Sequence, residues 1–152
     1  MKKFLVLAAA LVAAASISVG VGVGVAQSVS ASSPRSGVLH VTKECSAYTG
    51  LAGSYCTITS SNLKAIKVGS RIVYTSAAGA TSLDSDVVLD AGDGNKAFGH
   101  VTLDFVTGTG WSITFSGGTG KFTGFRANAD VSVDSTGLWH WDGTYSFSPR
   151  DD

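Results

Sequence analysis

The sequence predicts an all-β domain, an antiparallel β-barrel of about eight strands that follows an N-terminal signal peptide. Three observations predict it. Beyond residue 36 no stretch keeps the three-and-four apolar spacing of an amphipathic helix. Period-two alternation of apolar and polar residues recurs along that whole region. Clusters rich in Gly, Asp, Asn and Ser separate the alternating runs at the intervals of a meander.

The chain opens with MKKFLVLAAALVAAASISVGVGVGVAQ. Lys2 and Lys3 form a positive region, Phe4 to Val25 a hydrophobic one, and Gly24-Val25-Ala26 a small-residue site that a signal peptidase reads. Cleavage is expected after Ala26, with Ala31 as the second choice. The run is long enough to span a bilayer, but its Gly, Ala and Ser content makes a retained anchor the weaker reading. The expected organisation is a signal peptide over residues 1–26, a linker over 27–36 and a barrel over 37–148.

Removing the signal leaves nine basic against eleven acidic residues, a net charge of −2. Such a domain has no electrostatic reason to favour nucleic acid, or an anionic membrane once the signal is gone. Export, whether extracellular or periplasmic, also bears on the two cysteines. Cys45 and Cys56, close together outside the cytoplasm, are expected to form a disulfide rather than to supply a catalytic thiol.

The strands follow in order. Val38 to Thr42 is the first, Ser54 to Thr59 the second, Arg71 to Thr75 the third and Asp86 to Leu89 the fourth. In Phe98 to Val106, Val101, Leu103 and Phe105 share one face and His100, Thr102 and Asp104 the other. Trp111, Ile113 and Phe115 oppose Ser112, Thr114 and Ser116. Phe125, Ala127, Ala129, Val131 and Val133 make one side of a long strand, and Trp139, Trp141, Tyr145 and Phe147 one side of the last. One twisted sheet with so many strands tends to curl and close, which also removes its edges. A closed barrel is therefore expected, and a two-sheet sandwich is the alternative.

Between the sixth and seventh strands lies Gly117-Gly118-Thr119-Gly120-Lys121, which invites a phosphate-binding reading. A P-loop needs glycine at position 115, where Phe stands, Ser or Thr after the lysine, where Phe122 stands, and a helix beyond. The dinucleotide fingerprint fails at Thr123. The cluster is expected to be a tight reversal in which glycine supplies positive φ.

The run from Ser116 to Ala127, SGGTGKFTGFRA, resembles the Gly-Gly-Thr-Gly-basic-Phe turn of the allene oxide cyclase and dirigent-protein superfamily. The closing GLWHWDGTYSF, Gly137 to Phe147, is similar to the last strand of bacterial secreted proteins described as allene oxide cyclase barrel-like. The strand pattern of this resemblance covers residues 38–147, and its specific part is about a dozen residues at the turn. It implies an eight-stranded antiparallel barrel, a small-molecule cavity as in some members and trimers as in several. No catalytic residue carries over from it.

The chemistry visible in the sequence is sparse. His40, His100 and His140 lie on polar strand faces without ligand-like spacing, so no metal is expected. Asp84, Asp86, Asp90 and Asp93 lack the calcium-loop pattern and read as turn-forming carboxylates. No nucleophile elbow occurs, and Glu44 is the sole glutamate. No cofactor is expected. The aromatic set Tyr74, Trp111, Phe115, Phe125, Trp139, Trp141 and Tyr145 either fills the barrel or lines a ligand site, and Tyr and Trp tips could orient a ligand. The leading expectation is a secreted barrel that binds a small apolar ligand in its lumen. The alternatives are an isomerase or cyclase of an unsaturated small molecule, for which Tyr74 or Tyr145 would be the polar group, and a solid structural or interaction barrel.

Overall fold

The computed structural model describes residues 35–149. The expected signal peptide, its cleavage sites at Ala26 and Ala31, and nearly all of the expected linker lie outside these residues. Eight strands form one closed antiparallel barrel in chain order. They are β1 (Ser36–Glu44), β2 (Tyr55–Ser61), β3 (Arg71–Tyr74), β4 (Ser82–Asp90), β5 (Lys96–Asp104), β6 (Ser112–Gly118), β7 (Phe125–Val133) and β8 (Trp139–Phe147). Each pairs with the next, and β1 closes on β8 with Val41 opposite Trp141 and Lys43 opposite Trp139. The described residues contain no α-helix, and no helix among them is long and apolar enough to cross a membrane.

Alternation decides what fills the barrel. Leu39, Val41, Ile58, Ile72, Val87, Leu89, Val101, Ile113, Phe115, Ala129 and Trp141 are all buried, while their neighbours along each strand face out. The outer face carries the histidines. His40 meets Asp142 at 2.7 Å, His100 meets Asp84 and Asp86, and His140 meets Asp134 at 2.8 Å. The first two are solvated cross-strand pairs and the third joins β8 to the β7–β8 turn; surface pairs of this kind carry small energetic weight.

Five strands, β1, β2, β4, β5 and β6, run further at one end or both than the alternation expected, β1 and β4 the most. β1 continues past Thr42 to Glu44, and β4 begins at Ser82 rather than Asp86. Both extensions contain charged residues, and each keeps the period intact: Leu39, Val41 and Lys43 point inward, as do Leu83, Ser85, Val87 and Leu89. At the end of β5 the reverse holds. The strand stops at Asp104; Phe105, half-exposed, and Val106, exposed, belong to the loop beyond it.

The two ends of the barrel differ. Where β2, β4, β6 and β8 finish, loops close the floor. The Gly117–Gly120 reversal leads into a 3₁₀ turn, Gly120–Phe122, that drops Phe122 fully into the core against Phe125. Gly117 and Gly120 take φ of 106° and 57° there, which explains why the turn is built of glycine. Two of its amides are committed to the barrel: Thr119 N–H donates to the Lys96 carbonyl and Lys121 N–H to Asn95 Oδ1. The cluster is a floor turn, and a 3₁₀ turn followed by β7 stands where a P-loop would have its helix. Leu63 and Ile66, from the β2–β3 loop, are buried in the same core. The opposite end, where β1, β3, β5 and β7 finish, is the mouth.

Candidate functional site

The mouth is held by the Cys45–Cys56 disulfide, which joins the residue after β1 to the start of β2 across eleven positions. A short loop of this kind contributes on the order of 2–3 kcal/mol to stability. Within that loop Tyr48 folds back over the barrel, its ring centroid 4.9 Å from that of Tyr74 at the end of β3. Trp139 at the start of β8 forms another wall. It stacks on Trp111 at 5.8 Å, and Phe105 meets Trp111 edge-on at 6.2 Å. The Trp111 Nε1–H donates to the Asp104 carbonyl at 2.7 Å, fixing the indole that supports Trp139.

These walls enclose a half-open cavity of about 120 Å³. Leu83, Leu103, Phe105, Trp139 and the disulfide make it apolar, and Lys43, Tyr48 and Tyr74 supply its polar atoms. Lys43 is only 4 % exposed. Its ammonium donates to the Tyr74 hydroxyl, which in turn lies 3.7 Å from the Cys56 sulfur. Among the described residues no carboxylate forms an ion pair with Lys43. Its Nζ instead lies 5.1, 5.4 and 5.5 Å from the ring centroids of Tyr74, Trp139 and Trp141. Rings at this range attract an ammonium, though less than water or a carboxylate would.

Burial therefore dominates, and it pushes the Lys43 amine down to about 7. Near neutral pH a large share of molecules carries the free amine, a nucleophile and base set in an apolar wall. Burial, with a smaller contribution from Tyr48, pushes the Tyr74 phenol up, so that it stays a neutral donor. The Tyr48 hydroxyl is buried with no hydrogen-bond partner among the described residues, and burial raises it as well.

These shifts make stability depend on pH. Between about 7 and 10 the unfolded chain holds a proton on Lys43 that the folded chain lacks, so stability rises with pH. Below that window both states are protonated, and the folded one bears the cost of a buried ammonium. Above about 10 the unfolded Tyr74 loses its proton while the folded one keeps it, and stability falls again. Urea denaturation is expected to show a rise of a little over 1 kcal/mol per pH unit across the window, and no such rise in Lys43→Met.

The aromatic residues singled out in the sequence divide between the two ends. Tyr74 and Trp139 line the cavity, Trp111 backs Trp139, and Trp141 lies beneath Lys43. Phe115 packs against Trp141 at 5.6 Å and Phe125 at 5.8 Å in the middle of the core. Phe125 continues to Phe122 and Phe147 at the floor. Tyr145 lies near Phe147 and under Gly37, away from the mouth. Lys43, Tyr48, Leu83, Leu103 and Phe105 had not been singled out for the site. For Lys43 the signal was present, because the Leu39, Val41, Lys43 parity continues through it.

No family model, curated protein or solved structure matches the chain.

Proposed function

We propose that this chain is an exported barrel that holds one small, mainly apolar molecule in the mouth of its lumen, with a single oxygen function turned toward Lys43 and Tyr74. The observation that carries this reading is a lysine that, among the described residues, has no carboxylate partner and lines a mainly apolar half-open cavity. A buried amine whose one hydrogen bond goes to Tyr74 costs stability, and a ligand oxygen there would supply a second. The Tyr48 hydroxyl, buried without a partner among the described residues, supports the same conclusion. The cavity is slightly smaller than the ~150 Å³ hole that accommodates benzene, so the ligand is ring-sized, with its substituent near the rim. Phe115, Phe125 and Trp141 fill the lumen below, which limits how deep it goes. The disulfide supports the exported part of the reading. The closed eight-stranded barrel, with its glycine turn, supports membership of the allene oxide cyclase and dirigent-like superfamily.

Benzyl alcohol is a suitable probe. Titration is expected to quench or shift the tryptophan emission with a dissociation constant of ~1 mM or tighter, because Trp139 is a wall of the site. Leu103→Phe, which fills the cavity, is expected to abolish the response. An unchanged wild-type emission, or an equal response in Leu103→Phe, would sink the reading.

A further inference from the structure

We propose that the mouth is a covalent carbonyl site: the Lys43 amine condenses with a small aromatic or unsaturated aldehyde to form an imine, with Tyr74 relaying the protons. The inference rests on the binding reading above and names its ligand class. Its basis is an arrangement of three features. The amine is at the cavity wall, a hydroxyl is in hydrogen-bond contact with it, and the remaining lining is apolar. An alcohol or ether would need only the hydrogen bonds, whereas an aldehyde uses every feature of the site.

The chemistry balances with the groups present. The Lys43 lone pair adds to the carbonyl carbon, and the carbonyl oxygen takes up the proton that the nitrogen gives up, leaving a neutral carbinolamine. The carbinolamine then loses its hydroxyl: the Tyr74 O–H gives its proton to the departing oxygen as the Tyr74 oxygen receives the remaining N–H proton. The products are the imine and one water, with no oxidant, reductant or cofactor consumed. Because the two transfers through Tyr74 are coupled, no phenolate accumulates, which agrees with a phenol that burial keeps protonated. The apolar walls also favour the neutral imine over a charged product and keep bulk water, which would hydrolyse it, at the rim.

Selectivity follows from protonation. A solvated lysine amine is almost entirely ammonium at neutral pH and does not add to carbonyls in that form. A desolvated lysine is the usual solution to this problem in amine catalysis. The exposed Lys64, Lys67, Lys96 and Lys121 provide an internal comparison within the same chain.

The test is reductive trapping. The full chain is incubated at pH 7 with benzaldehyde and cyanoborohydride, and the intact mass and a peptide map are read over time. Among the lysines a single benzyl adduct, on Lys43, is expected, forming about tenfold or more faster than on any exposed lysine. The peptide map separates it from any adduct on the α-amino group, which also reacts at this pH. Lys43→Met is expected to lose this adduct and, with one of the two groups that meet the ligand oxygen gone, to bind benzyl alcohol severalfold more weakly. Tyr74→Phe is expected to bind benzyl alcohol more weakly and, compared at saturating benzaldehyde, to form the adduct about fivefold or more slower. Benzyl alcohol binding together with labelling of Lys43 no faster than the exposed lysines would overturn the inference and leave the binding reading standing. Absence of both would overturn the two together.

Discussion

Replacing Gly143 with alanine is expected to cost about 3 kcal/mol or more, a large share of the stability of a domain this size. Gly143 lies in β8 opposite Ala129 of β7 and Leu39 of β1, at the centre of the seam that closes the barrel. A Cβ built there would lie 2.0 Å from the Asn128 carbonyl oxygen and 2.6 Å from the Ala129 Cα. Both are backbone atoms of the neighbouring strand, so no side chain can swing aside to relieve the contact. Relief requires β7 and β8 to separate locally, which breaks ladder hydrogen bonds that no water-filled alternative replaces inside a closed sheet. The exposed neighbour Thr144 offers the control: Thr144→Ala is expected to change stability by no more than about 0.5 kcal/mol. Urea denaturation of the two variants checks both statements. A Gly143→Ala protein with wild-type stability would mean that the seam is not packed as described.

Trp141→Ala is the second large effect, expected to cost about 3–5 kcal/mol. Trp141 is 1 % exposed and touches Phe115 above the floor aromatics while approaching Lys43 from below. Its removal leaves a hole that backbone closed into a barrel cannot collapse to fill. Trp141→Phe is expected to behave differently. The indole Nε1–H is buried without a partner among the described residues, so replacing it removes an uncompensated donor along with some volume. The two changes offset, and a net cost of about 1 kcal/mol or less is expected. Trp141→Ala also joins the new hole to the mouth cavity. Water admitted there would restore solvation to Lys43 and flatten the rise of stability between pH 7 and 10.

What the sequence revealed depended on what each side chain reports. In β7 the alternation from Phe125 to Val131 runs over residues that are clearly apolar or clearly polar, and the observed burial follows it position by position. The eight-stranded closed barrel, and the cysteine pairing, were legible for the same reason and from the expected compartment. Period two, however, says only inside or outside. It carries no information on height along the barrel axis, which depends on the stagger between strands. Hence Phe115 and Trp139 share an inward direction while one sits in the solid core and the other at the mouth.

Lys43 was missed for a different reason. A charged residue after an apolar run ordinarily marks the end of burial, because the desolvation cost is high. Here the strand continues, and the cost is borne as a lowered amine pKa. Phe122 was hidden similarly: it belongs to a turn rather than a strand, so no alternation pointed to its burial. Both departures from local expectation lie at the ends of the barrel, where function and closure are decided.

The most direct measurement is the titration of Lys43 itself, followed by NMR through the ¹³Cε chemical shift in protein labelled at lysine and assigned with Lys43→Met. The account predicts a midpoint near 7, well apart from a solvated lysine at about 10.4. A Lys43 midpoint at about 10 would place the amine in water or beside an unrecognised anion, and the mouth would then hold no free amine to meet a ligand.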